Sequence, residues 1–295
     1  MLYGFFFKVP YPRRAAGFCD DKLQLLQLAR KKIGKFAVES TACLSNVIRP
    51  KFDSSNIPDL RATAERIAAA VKKVGLSSQR RWSVVLPQPT VRNLLVQFDD
   101  PPHSTPELEE AINWRVEKVT GIEVSQLRMS YQPASRDGLR YLVSVMVNEV
   151  LAEYEQLFKL LGWDVGLILP GPLAEMLLLP ETADERLLIS FYAEGFVAIA
   201  MKADDMVLLR TQETDEKEDD LYRMAAYYGE RLLSSAAEAF VLGSPEECEL
   251  SCRVFNEVCP SVQVYTPSQL PLLDQVEAAD FRLLVAPAGA ASLAF

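Results

Sequence analysis

Histidine is nearly missing: His103 is the only one in 295 residues. A Ser-His or Cys-His catalytic pair would have to use it. It stands among Pro101, Pro102 and Pro106, a loop setting that suits an exposed, inert residue better than a base. Glycine signatures are missing as well. There is no P-loop, no Rossmann fingerprint and no nucleophile elbow, so the common nucleotide and hydrolase chemistries have no visible footing. The five cysteines are odd in number and form no disulfide-like framework, which suits a reducing compartment. Cys248, Cys252 and Cys259 fall at helical spacing, but no histidine, carboxylate or fourth cysteine completes a zinc pattern; core packing is expected and no metal.

Long apolar runs are missing too. Leu187–Met201 and Phe281–Phe295 are shorter than the roughly 20 residues of a membrane-spanning helix. The first holds Glu194, the second Pro287 and Gly289. The start, MLYGFFFKVPYPRR, places its charges after its apolar part, the reverse of a secretory signal. A cytoplasmic protein is expected. Basic charge is in deficit, with 31 Lys and Arg against 40 Asp and Glu, a net −9. Such a surface repels phosphate backbones, so nucleic acid is not an expected partner. What remains is ordinary: 49% hydrophobic and 24% charged residues, in a chain long enough for one large or two ordinary domains.

Periodicity orders the chain. Leu23–Ala29 and Lys35–Leu44 read as strands, followed by a helix over Leu60–Val74 whose apolar face includes Leu60, Ala64, Ile67 and Val71. Trp82–Leu86 reads as a short buried strand. Thr90–Phe98 is a strand bounded by prolines. Thr105 is the expected cap of a helix that starts at Pro106, with Leu108, Ile112 and Val116 in its buried stripe. Leu127–Gln132 and Arg140–Val147 form a hairpin across Asp137-Gly138. Asn148 is the expected cap of the next helix, which Gly162 ends, before a strand over Asp164–Leu169 and a short helix over Pro172–Leu179. Then the pattern restarts. Three strands, Arg186–Tyr192, Phe196–Lys202 and Met206–Thr211, are followed by a helix from about Asp219, a strand at Phe240–Leu242, a helix to Val258 and a strand at Val262–Tyr265. The repeat is one of element order. Meanders alternating with helices imply mixed sheets covered by helices.

That order is similar to the duplicated actin-like plan. The stretches LRATAERIAAAVKKVGL, WSVVLPQPTVRNLLVQF, STPELEEAINWRVEKVTGIEVSQLRMSYQ and YLVSVMVNEVLAEYEQLFKLLGWDVGLILP resemble the type IV pilus assembly protein family PilM. More distantly they resemble the cytoplasmic domain of the type II secretion protein GspL. The resemblance implies an α/β, ribonuclease H-like fold of two lobes. Lobe 1 covers 1–182 with an α+β subdomain inserted at 90–147, and lobe 2 covers 183–295. No residue in the matching stretches is catalytic.

The nucleotide signatures that the resemblance leads one to look for are altered. The first phosphate loop reads AAGFCDDKLQLLQL, where Asp20 and Asp21 are followed by no glycine. The second reads Ile189-Ser190-Phe191-Tyr192, so a serine replaces the family's aspartate and a tyrosine its glycine. The Gly-Gly motif on the adenosine side is reduced to Gly243-Ser244-Pro245. From Glu213 to Asp220 there is no room for the subdomain that relatives carry in lobe 2. No ATP or other cofactor is therefore expected, and the chain reads as a pseudo-ATPase of the actin-like superfamily, not an enzyme. The acidic run itself also reads as a solvated loop and helix start.

The resemblance implies a scaffold at the inner-membrane face of a pilus or secretion machine, binding the short cytoplasmic tail of a PilN-like membrane protein. By the same resemblance Arg92, Asn93, Trp114 and Tyr131 lie near the tail-binding groove. Trp114 falls off its helix's buried stripe, so it reads either as an exposed anchor or as packing on a neighbour. Arg92, Arg115 and Arg128 suit acidic or carbonyl-rich parts of a peptide. Two other functions stand beside this one: an active ATPase or phosphotransferase, and an FtsA-like filament former; self-association stays open. The aromatic stretch Leu2–Phe7 is expected to be ordered against the body or a partner, since leaving it in water is costly.

Overall fold

A computed structural model describes residues 11–32, 35–78, 80–180, 185–229, 237–269, 273–274 and 278–295. The aromatic stretch Leu2–Phe7 and the 182/183 lobe division lie outside the described residues. The chain opens with three antiparallel strands, β1 (Arg14–Cys19), β2 (Lys22–Lys32) and β3 (Lys35–Leu44). Helix α1 (Leu60–Lys73) follows, capped by Asp59, whose side chain accepts from Ala62 N at 2.9 Å. Strand β4 (Arg81–Leu86) then pairs in parallel with β1.

The inserted part comprises β5 (Arg92–Gln97), α2 (Thr105–Thr120), β6 (Leu127–Pro133) and β7 (Arg140–Val147). The three strands form their own antiparallel sheet in the order β5-β7-β6. Leu94 and Val96 of β5, Met129 of β6 and Val143 and Val145 of β7 face Leu108, Ile112 and Val116 of α2. Chain α3 (Asn148–Leu161), β8 (Asp164–Pro170) and α4 (Gly171–Met176) return to the first sheet, which β8 joins beside β4. Tyr154 of α3 and the stacked pair Trp82 and Trp163, with ring centroids 4.4 Å apart, fill the core beneath α1.

The second sheet holds β9 (Glu185–Tyr192), β10 (Gly195–Lys202) and β11 (Asp205–Glu213). Helix α5 (Lys217–Gly229), β12 (Glu238–Leu242), α6 (Pro245–Val258) and β13 (Gln263–Tyr265) complete this half, and the strand order is β11-β10-β9-β12-β13. Only residues 214–216 separate β11 from α5. Ser244 and Glu247 form a reciprocal capping box at the start of α6. The end of the chain crosses back. Strand β14 (Leu273–Asp274) pairs with β3, and α7 (Ala278–Ser292) packs against β1, β2, β4 and α4, so the first sheet reads β14-β3-β2-β1-β4-β8.

Four details differ from the sequence expectations. Ser104, not Thr105, caps α2, accepting from Glu107 N. Val147 precedes α3, and Asn148 is its first residue rather than a cap. Residues 14–19, given no element from the sequence, form β1. The Pro287 and Gly289 stretch, considered there only as too short to span a membrane, is the body of α7. Both elements escape the sequence for one reason. A Cβ on Gly17 would lie 2.8 Å from the Pro287 ring, and one on Gly289 would overlap the Ala174 carbonyl oxygen. These residues permit close packing between elements; they do not break them.

Candidate functional site

Where the two sheets meet, the β1–β2 turn faces the β9–β10 turn. In a nucleotide-binding arrangement of this kind, backbone N–H groups of such turns would cradle phosphate. Here a side chain stands between them. Asp20, in the left-handed region at φ 50°, accepts from Ala193 N at 3.1 Å and pairs with Arg282 of α7 at 3.3 Å. Arg282 also donates to the Phe191 carbonyl at 3.1 Å. Lys217 closes the outer side, donating to the Tyr192 carbonyl at 3.2 Å and to Glu247 at 2.7 Å. Between Gly17, Glu175, Ser190, Tyr192 and Pro287 a cavity of only about 30 Å³ is left. Ligand pockets ordinarily run to several hundred Å³.

Two groups in this closed cleft are perturbed. Glu175 of α4 is fully buried, which pushes its carboxyl up to about 7, although the Ser190 hydroxyl and the Arg282 charge pull the other way. Its Oε2 has no hydrogen-bond partner. Burial, and then the neighbouring Asp20 charge, push the Cys19 thiol up to about 12.

The inserted sheet sits astride both halves, with each of its open edges beside the open edge of a main sheet. Edge strand β6 lies near β8 of the first sheet. Between them runs a groove of about 380 Å³, with Leu86, Val91, Met146 and Ile168 among its apolar lining and Arg128 and Glu155 at its sides. Ala134 N donates to Arg140 O, so the backbone groups of Met129 and Tyr131 turn away from β7 toward the open side. Edge strand β5 lies near β11 of the second sheet, beside a wider groove of about 840 Å³.

The insert is tied to the second sheet. Met206 N donates to Ala134 O at 2.8 Å, Arg136 N donates to Asp205 at 2.9 Å, and the Arg136 guanidinium pairs with Asp204. Just ahead of the insert, Gln88 donates to the Thr211 hydroxyl at 3.0 Å.

The four residues singled out from the sequence are not brought together. Arg92 lines the β5/β11 groove, where it pairs with Glu213 at 2.5 Å and lies over the Phe52 ring at 5.3 Å. Asn93 lines the same groove but is buried, accepting from the Ser144 hydroxyl at 2.7 Å. Tyr131 is on the other edge strand and donates to Glu109 at 3.0 Å. Trp114 is 60% exposed on α2, with the Lys118 ammonium 4.8 Å from its ring centre, and lines neither groove.

Sequence reasoning missed the hub beneath them. Buried Asn56 donates to the Lys51 and Ser54 carbonyls, both at 2.8 Å, and its Oδ1 accepts from Thr90 and Tyr154. Glu153 of α3 accepts from Asn56 N at 2.8 Å. This network fixes the 50–54 loop against Thr90 and α3. An asparagine in a Ser/Asn-rich loop carries no distinctive signal.

No known family profile matches this sequence, and no curated protein matches it. Its fold is another matter. The solved PilM–PilN type IV pilus biogenesis complex superposes with a TM-score of 0.74 at 14% identity, covering 96% of this chain and 99% of that one. A Bacteroides thetaiotaomicron protein with an actin-like ATPase fold and unknown function follows at 0.55 and 9% identity, covering 90% and 94%. The cytoplasmic domain of EpsL, an inner-membrane component of the type II secretion system of Vibrio cholerae, matches at 0.51 and 13%, covering 78% and 81%. The chain therefore has the actin-like, two-lobed fold that the order of its elements implied. Among the described residues, no helix is long and apolar enough to cross a membrane.

Proposed function

We propose that the chain is a non-catalytic component of a pilus- or secretion-type assembly that holds an extended cytoplasmic segment of an inner-membrane partner. The observation that carries this reading is the apolar groove between two unpaired strand edges, β6 and β8. An extended segment there adds main-chain hydrogen bonds to the Met129 and Tyr131 backbone and places alternate side chains among Met146, Ile168 and Leu151. The fold it shares with the PilM–PilN complex and with the EpsL cytoplasmic domain supports the same kind of partner. The protein stays in the cytoplasm and reaches the membrane face through that partner.

The cleft between the sheets takes no nucleotide in this reading. Asp20 and Arg282 occupy the bridge between the two turns, and Tyr192 lines a residual space far smaller than a triphosphate. The active ATPase or phosphotransferase is thus the weaker alternative.

The test is titration calorimetry with a synthetic peptide copying the cytoplasmic tail of a PilN-like single-pass membrane protein from the same genome. Wild-type protein is expected to bind it, and Ile168→Arg to weaken binding at least about tenfold, a loss near 1.4 kcal/mol. Mg-ATP is expected to give no heat of binding. A micromolar ATP affinity, or tail binding indifferent to Ile168→Arg, overturns the reading.

A further inference from the structure

The second groove has a different chemistry from the first. On β5, Phe98 N donates to Leu139 O, so Asn93 and Leu95 turn their N–H and C=O groups away from β7. On β11, Thr214 N donates to Glu194 O, so Leu209 and Thr211 turn theirs away from β10. All four residues line the groove. Two strand edges with unpaired ladder groups thus open onto one space.

Its charge runs against the rest of the chain. The lining carries Lys51, Arg92, Arg115 and Arg210 against Asp53, Glu194 and Glu213, a net of +1 from four cations and three acids, in a protein of net −9. Arg92 is engaged with Glu213. Among the described residues, Lys51, Arg115 and Arg210 form no ion pair, and all three are exposed. Val119, 49% exposed, adds an apolar contact on the same wall, and Trp114 with Lys118 lies next along α2.

We propose that this β5/β11 groove is a second docking site, and that its occupant is an extended acidic segment of another protein, laid along β5. The unpaired edge supplies main-chain bonds, which call for an extended chain. Lys51, Arg115 and Arg210 call for carboxylates on it. A flat bilayer surface is a poor fit, because the unpaired backbone of Asn93 and Leu95 lies inside a concave space whose lining includes Asp53 and Glu194. A segment seated there touches the insert and the second sheet together. The inserted sheet then carries one partner on each edge, an apolar tail at β6 and an acidic segment at β5. The second site does not depend on the first.

The experiment uses a fluorescein-labelled octapeptide alternating Glu and Val, its Lys/Val counterpart, and fluorescence anisotropy on the full chain. The acidic peptide is expected to bind, less tightly as salt rises, and the basic one not. Arg115→Glu with Arg210→Glu is expected to weaken binding about tenfold while leaving the melting temperature unchanged, since both side chains are exposed. Ile168→Arg separates the two sites, because it strikes only the tail groove. Absent binding, equal binding of the basic peptide, or indifference to the double reversal overturns the proposal. So does a double reversal that instead abolishes binding to phosphatidylglycerol vesicles or self-association in sedimentation, which would assign the surface to a membrane or to a second copy.

Discussion

Replacing Asp20 by Asn tests whether one carboxylate holds the two halves together. Asparagine tolerates the left-handed φ of 50° at this turn, whereas alanine would add backbone strain. It also keeps an oxygen for the Ala193 N–H. What it removes is the charge facing Arg282 and the charge assistance of the hydrogen bond. Hydrogen bonds to a charged group contribute about 1.5–3 kcal/mol each. Both side chains are about a quarter exposed, 28% and 24%, so solvent screening lowers the loss to about 1–2 kcal/mol. In a chain of this size each kcal/mol moves the melting temperature roughly 2–4 °C, so a fall of about 2–8 °C is expected by calorimetry. A double-mutant cycle with Arg282→Gln isolates the pair. The two single losses should exceed the double loss by about 1 kcal/mol, the screened worth of one such pair. Strict additivity, or an unchanged melting temperature for Asp20→Asn, refutes the latch.

Glu175 gives the chain a pH slope of unusual sign. Its folded-state value, about 7, lies above the ordinary 4.5, so the folded state holds the proton more tightly than the unfolded one. Its contribution is therefore full below about 4.5 and is lost as pH rises through 7. Glu175→Gln should leave stability near pH 4.5 little changed and raise it at pH 8, by an amount on the order of 3 kcal/mol; urea melts at the two pH values check this, and a parallel loss at both would refute it. Cys19, with its thiol pushed up to about 12, should resist iodoacetamide in the native protein at pH 8 while exposed Cys43 is labelled. Rapid native labelling of Cys19, read by mass spectrometry, would contradict the closed cleft.

Local chemistry was legible where local chemistry decides. Asp137-Gly138 announced its hairpin, and Gly162 its helix end, because each turn demands its own residues. The buried stripe of α2 and the face of α1 followed from spacing alone. Strand β1 and helix α7 were hidden because Gly17, Pro287 and Gly289 are there for contacts with distant elements, which no window of neighbours reveals. The same holds for the site. Asp20 was visible as a phosphate-loop residue, but its partners Ala193 and Arg282 lie 173 and 262 positions away. The split of Arg92 and Asn93 from Tyr131 depends on which strand lies in the middle of the inserted sheet, and alternation along a strand carries no record of strand order.

The return of β14 and α7 to the first sheet bears on how this chain comes to be folded. The first sheet is completed by elements made after the whole second sheet, so its core stays open along Ala15, Leu26 and Leu28 until Val285 and Ala288 are in place. During synthesis the second half has all five of its strands in hand while the first half still waits for its last helix. Contacts across such sequence separations form slowly, and a half-built sheet is a surface on which chaperones or stray chains can settle. Removing α7 should therefore cripple the end of the molecule that is made first.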